Sequence, residues 1–442
     1  MPDFAAVQGE VQQYRRCIDG LLLYQAVFET APGRCFVALL EALKSGEPSL
    51  CLRAYGAWFG ALARGGESWP HHLLRQIASA ENPFTLQAER RELAALPTAL
   101  VEAARHDLAR LQALHDLNSE RVAGWVQAVT RGADLPDGLS AAAPVVWACP
   151  AGPLPLALPA LAGSPGTAWG EAVADLAEHY RRHGVGVFAR YQAFTWQGGK
   201  LAGIAEPDPI RLEQLTAYDH PRQQLVQNTL ALLRGYPALN VLLYGSRGAG
   251  KSSLVKALAN EYAPQGLRLI EVAKADLRAL PEIVGEVRSR PQRFIIFVDD
   301  LSFEEDDDTF KALKVVLEGG TTARPANVVV YATSNRRHLV REYFSDRPRP
   351  SDQDEVQAWD TLQEKLSFSD RFGLTLTFEP ADQPTYLAIV RHLAAQAQIP
   401  IAAEDLTARA LQWATRHNGR SGRSARQFID WLAAEVGTGP LT

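Results

Sequence analysis

The sequence predicts an α/β fold: a parallel-sheet core, a small helical bundle after it and a mainly helical region before it. Three observations lead there. Four short, mostly apolar runs, VLLYG (241–245), LRLIEV (267–272), FIIFVD (294–299) and NVVVYAT (327–333), have the length and composition of strands buried on both faces. Stretches of helical pattern lie between these runs, as βαβ units require. Residues 1–133 and 383–437 instead read as helical, with apolar side chains three and four residues apart.

Taken in order, residues 1–133 form a helical N-terminal domain, with Val101, Ala104, Leu108, Leu111 and Leu114 as a representative stripe. Residues 134–205 comprise a Pro/Gly-rich linker, a short helix and a β-hairpin, and Pro136 to Gly170 break the helical pattern with Pro, Gly and Ser. Within them, residues 143–163 carry no charge but contain Pro144, Pro150, Pro153, Pro155 and Pro159. Each proline removes a donor and clashes with a helical turn, so the stretch is an extended, partly buried linker and not a membrane span. A short helix at about 170–183 follows, then a β-hairpin over 184–204 with Gly198-Gly199 at its turn. Glu206-Pro207-Asp208-Pro209 reads as a hinge into the α/β core, 206–380, and residues 381–442 close the chain as helices.

The chain has 442 residues, enough for two or three domains. With 45 basic and 50 acidic residues the net charge is −5, which does not mark a nucleic-acid binder. Cys17, Cys35, Cys51 and Cys149 form no C-x-x-C pair and no dense disulfide scaffold, and no basic-then-apolar leader opens the sequence. These features together predict a cytoplasmic protein.

One motif carries the chemistry. Gly245-Ser246-Arg247-Gly248-Ala249-Gly250-Lys251-Ser252 is a complete G-x-x-x-x-G-K-[ST] phosphate loop, with a strand before it and a helical run, beginning at Ser253, after it. Glycines let backbone N–H groups turn inward around phosphates, and the helix N-terminus adds a positive dipole end. Lys251 can reach the β- and γ-phosphates of ATP, and the Ser252 hydroxyl can ligate Mg²⁺. A chance glycine-rich turn would not bring the strand and helix with it.

Downstream, FIIFVDD (294–300) ends an apolar strand in two carboxylates. Alone, such a pair is a solvated turn. Paired with a phosphate loop, Asp299 becomes a Mg²⁺ holder and Asp300 a group that polarises the attacking water, with Glu304 or Glu305 as its substitutes.

These motifs, with YATSNRRHL (331–339), KLSFSDRFGLTLTF (365–378) and SGRSARQFI (421–429), resemble the AAA+ ATPases over roughly residues 210–437. More narrowly, the set GSRGAGKSSLVKAL, FVDDLSFE, LEGG, ATSNRRHL and SDRFGL is similar to an uncharacterised bacterial ATP-binding family with an AAA+ core. The resemblance implies a P-loop NTPase core with a C-terminal helical lid. It also implies that Asn335 is the sensor-1 polar residue and Arg371, at the end of a helix segment, an arginine finger. By the same resemblance Arg423 is the best match to a sensor-2 arginine, with Arg420 and Arg426 as competitors. Asp300 stands where many relatives carry Glu, one methylene longer. The resemblance implies a homo-oligomer in ATP, and supplies no cellular role.

Three functions compete: a remodelling ATPase acting on a macromolecular partner, a nucleic-acid loader, and a nucleotide-gated switch. The interval 261–293 shows no aromatic–apolar–Gly threading loop, and GGTTARPANV (319–328) has one Arg and no aromatic. Neither protein threading nor nucleic acid is therefore indicated. The N-terminal half has no catalytic signature. Trp58, Trp69 and Trp125 fit a core, and His71-His72 lacks further metal ligands. That half reads as the partner-binding or regulatory domain.

Overall fold

In the computed structural model, which describes residues 4–131, 144–147, 161, 168–301, 309–318, 325–335, 371–417 and 419–438, the chain divides into two units, Met1–Arg190 and Tyr191–Thr442. The N-terminal unit is helical, and its helix ends are where the sequence supplies caps. The helix Ala31–Ser45 opens at Thr30, whose hydroxyl accepts the Gly33 N–H at 3.2 Å, and stops at Gly46 in the left-handed region. Asn82 and Thr85 form a reciprocal capping box for Pro83–Ala88.

Trp58 and Trp69 lie in the core beside Phe36, with Phe36 and Trp69 rings 4.3 Å apart, and Trp125 is buried with its N–H donated to Glu10. Buried Asp107 accepts the backbone N–H groups of Leu22, Leu23 and Tyr24 and so pins the loop after the first helix. Buried His72 is engaged on both nitrogens, 2.7 Å from Glu67 and 2.9 Å from Thr30. Burial alone would raise the Glu67 carboxyl, but hydrogen bonds from His72 and Arg75 outweigh it and hold it down at about 2. Of the Pro-rich linker only a few residues are described. Two of them are tied to the helical unit: the Tyr55 hydroxyl donates to the Val145 carbonyl, and the Trp147 N–H donates to the Glu67 carbonyl.

The second unit is built on one seven-stranded sheet. Its strands are β1 (Ala193–Gln197), β2 (Lys200–Gly203), β3 (Val241–Gly245), β4 (Leu267–Glu271), β5 (Arg293–Val298), β6 (Val328–Ser334) and β7 (Leu374–Phe378). Their order is β2-β1-β4-β5-β6-β3-β7, all parallel except the β1–β2 hairpin. Phe294 through Val298 are fully buried, which is why β5 reads as a continuous apolar run. Three helices, Gln383–Gln396, Ala403–Arg416 and Gly422–Thr438, form the C-terminal bundle around Tyr386, Val390, Ala410 and Phe428. Among the described residues no helix is long and apolar enough to cross a membrane.

Three expectations are corrected here. The hairpin is shorter than 184–204: Gly184 and Gly186 take positive φ, and Val187–Arg190 coils into one helical turn that buries Phe188 and Ala189. The hairpin also belongs to the sheet and not to the linker 134–205, because Ala193 to Thr195 pair in parallel with Leu269 to Glu271. Its turn does sit at Gly198-Gly199, both with positive φ, as a two-residue turn demands. Finally, LTLTF within the segment read as a helix end is strand β7, its Leu376 and Phe378 buried and its Thr375 and Thr377 exposed. The Glu206–Pro209 hinge is tied down: the Asn260 amide donates to the carbonyls of Asp208 and Ile210.

Because β3 lies between β6 and β7 and carries the phosphate loop at its end, its packing supports the site. Leu243 is fully buried there. Leu243→Ala is expected to cost about 2–5 kcal/mol of stability. It should appear as a lower denaturation midpoint at unchanged slope.

Candidate nucleotide site

The loop after β3 takes its shape from its glycines. At Gly245, with φ of 144°, an added Cβ would lie 1.9 Å from the Phe378 carbonyl oxygen, so β7 leaves room for glycine alone. Gly250, also at positive φ, heads the helix Lys251–Tyr262 with no side chain capping it, which leaves first-turn N–H groups for an anion. Arg247 is exposed at the tip of the loop, Ala249 is buried, and Ser253 lines the cleft beside Ser252.

Lys251 is 7% exposed. Its ammonium donates to the carbonyls of Gly245 at 2.9 Å and Ser246 at 2.8 Å, and to the Asn335 side-chain oxygen at 3.3 Å. Burial lowers its pKa, Asp299 and Asp300 draw it back up, and Arg423 lowers it further. An incoming phosphate would therefore strengthen a charge that the protein holds at some cost.

The two carboxylates lie next to it. Asp299 accepts the Ser252 hydroxyl at 2.6 Å and the Thr333 hydroxyl at 2.5 Å on the same oxygen. Asp300 sits at φ +50°, in the left-handed region that non-glycine residues rarely take, and such residues gather at functional sites. Its carboxylate accepts the Asn335 amide at 2.6 Å. Lys251, Ser252, Asp299, Asp300 and Asn335 thus form one hydrogen-bonded cluster, from three separate sequence motifs.

A cleft of about 440 Å³ opens beside the loop. One wall is Ile210, Leu215, Ala217 and Tyr218; the bundle contributes Ile389 and Leu393, and Arg423 and Arg426 reach it from the last helix. The Arg423 backbone N–H donates to the Gly248 carbonyl at 3.3 Å, and an added Cβ at Gly248 would lie 3.0 Å from the Arg423 Cβ. Both Arg423 and Arg426 line the cleft, whereas Arg420 donates to Gln383.

Arg371 is not brought to this cluster. It precedes β7, whose Leu374 pairs with Val241 and whose Phe378 pairs with Gly245. The phosphate loop is at the far end of that strand, more than about 13 Å away at the usual rise of 3.3 Å per residue. Glu304, Glu305, Arg336 and Arg337 lie outside the described residues, as do Cys149 and 319–324.

Sequence reasoning missed Thr333 and the apolar wall. Ala217 and Tyr218 both take positive φ without being glycine, and no residue pattern announces that. Thr333, two positions before Asn335, is the nearest thing to a visible signal.

Residues 189–436, more than half the chain, match the model of a family described as "Protein of unknown function (DUF815)". The chain belongs to this family. Its second unit has the parallel sheet, the phosphate-loop motif after β3 and the C-terminal helices that the motif resemblance to AAA+ ATPases implied. A stretch of 85 residues is 37% identical to the replication factor C large subunit of Staphylothermus marinus. It covers 19% of each chain, so the match spans about a fifth of that curated relative. Similar solved structures include the Thermotoga maritima RuvB Holliday junction branch migration motor, 16% identical, covering 52% of this chain and 74% of that one at a TM-score of 0.31. A point variant of RuvB from the same organism is 15% identical over the same shares, at a TM-score of 0.33.

Proposed function

We propose that this protein binds ATP with Mg²⁺, hydrolyses it, and couples hydrolysis to remodelling of a macromolecular partner held by its N-terminal helical unit. The observation that supports this most is the convergence of Lys251, Ser252, Asp299, Asp300 and Asn335 within hydrogen-bonding reach. Hard oxygen donors from Ser252 and Asp299 suit Mg²⁺, which takes one or two protein ligands and leaves the rest to water and phosphate. When bound, the ion would neutralise charge on the transferring phosphoryl group.

The chain's own residues do the remainder. Lys251 exchanges its two loop carbonyls for phosphate oxygens. Asp300 accepts a hydrogen bond from the attacking water, and Asn335 fixes the Asp300 carboxylate in orientation. The apolar wall of the cleft takes the base, and Arg423 or Arg426 meets the phosphates from the lid. Arg371, remote from its own loop, serves a neighbouring subunit in a homo-oligomer. The name of the replication factor relative makes nucleic acid the first partner class to offer the purified protein.

Asp300→Asn tests the water-orienting role. It should leave ATP affinity within about twofold and slow steady-state phosphate release by roughly 10²-fold, the scale of a general-base group. Turnover at the parent rate would hand the role to Glu304 or Glu305.

A further inference from the structure

Thr333 lies at the exit of β6, 2% exposed, beside the end of β5, since Val298 pairs with Ala332. Its single hydroxyl does two things. It donates to the Asp299 carboxylate at 2.5 Å and accepts the Asp300 backbone N–H at 2.9 Å. Its carbonyl takes a third bond, from the Leu301 N–H at 2.7 Å. Three successive residues of the turn after β5 are therefore strapped to one residue of the neighbouring strand.

The consequence is chemical as well as structural. A hydroxyl has one proton to donate and lone pairs to accept with. Spending the proton on Asp299 fixes the rotamer of the carboxylate that faces Ser252. Accepting from Asp300 N–H holds that residue at φ +50°, the backbone conformation from which its carboxylate meets Asn335. We propose that Thr333 is a positioning residue that sets the metal-facing and the water-facing carboxylate together. Serine would keep both hydroxyl bonds; valine, of the same shape, would keep neither, leaving the Asp300 N–H only its 3.2 Å bond to the Asp299 carboxylate and Asp299 one donor fewer.

A merely structural threonine would alter stability and nothing else. A positioning threonine has a different signature, because the nucleotide is held by Lys251 and the loop whereas the cation and the water depend on the carboxylates. This rests on the nucleotide-hydrolysis reading of the site. The experiment compares the full-length parent with Thr333→Val and Thr333→Ser in three measurements. These are ADP affinity in EDTA by calorimetry, Mn²⁺ affinity of the ADP complex by electron paramagnetic resonance, and phosphate release against Mg²⁺ concentration. For Thr333→Val, ADP affinity without metal should stay within about twofold, while Mn²⁺ affinity and turnover each fall about 10–100-fold, the range for lost outer-shell partners. Thr333→Ser should recover both to within about threefold of the parent. Thr333→Ala carries the same expectation as valine should the valine variant not fold.

Unchanged Mn²⁺ affinity and turnover in Thr333→Val would overturn the inference, and so would serine as impaired as valine. If the parent itself neither binds ADP nor releases phosphate, the nucleotide reading has failed and not the role of Thr333.

Discussion

Subunits carrying Arg371→Ala are expected to bind ATP normally and to lose turnover by roughly 10³–10⁵, the worth of an arginine supplied to a transferring phosphoryl group. The expectation comes from where the residue stands. β7 runs parallel to β3, with Leu374 against Val241 and Phe378 against Gly245, so Arg371 and the phosphate loop lie at opposite ends of the strand pair. No side-chain rotation spans that distance within one chain. A catalytic Arg371 would have to act on a neighbour, and the active form would then be an oligomer with shared sites. Mixing separates the alternatives. Arg371→Ala subunits keep an intact phosphate loop, and Lys251→Ala subunits keep an intact arginine. Two inactive preparations should together regain part of the parent activity, and activity should rise more than linearly with concentration. No recovery, with a monomeric mass in ATP at micromolar concentration, would favour a nucleotide-gated switch. The helical N-terminal unit would then be the effector surface to pursue.

How much of this was legible in the sequence depended on the kind of burial each segment has. β3, β4, β5 and β6 are covered on both faces, so their residues form mostly apolar runs that fall within a residue of the observed strands. β7 is covered on one face and reads Leu-Thr-Leu-Thr-Phe, an alternation hidden beside a more conspicuous motif. The hairpin was over-extended because Val185 and Val187 look like strand residues, while Gly184 and Gly186 turn the chain before they can pair.

The site divides along similar lines. Gly245 to Ser252 and Asp299 are legible from residue type and spacing and Asn335 from the motif resemblance, and the structure brings Lys251, Ser252, Asp299 and Asn335 together. Thr333 was not, because its value comes from strand register, which places it beside a residue 34 positions away. The apolar wall was also hidden, since Ala217 and Tyr218 act through an unusual backbone conformation. In the N-terminal unit the helices were legible from periodicity. The bonds that tie them, such as Asp107 to the loop at Leu22 or His72 to Thr30, join residues distant in sequence that carry no pattern of their own.

Lys251 is the residue whose loss tests nucleotide binding most directly. The residue is 7% exposed, and its ammonium spends its hydrogen bonds on Gly245, Ser246 and Asn335. A buried cation bonded to carbonyl oxygens is compensated only in part, and its lowered pKa records the deficit. Phosphate oxygens would supply the missing negative charge. Alanine in its place removes that attraction and, with it, the stabilisation of charge developing during transfer. ATP affinity should fall at least about tenfold, or about 1.4 kcal/mol. Turnover should fall by a further 10² to 10³, roughly the effect of deleting a preorganised charge-stabilising donor. The direct measurement is isothermal calorimetry of ATP into the parent and into Lys251→Ala, each shown folded by its unfolding midpoint. Saturable binding to the parent and binding at least about tenfold weaker in the variant are expected if Lys251 holds the phosphates. Equal affinity in two folded proteins, or no binding to the parent, would contradict it.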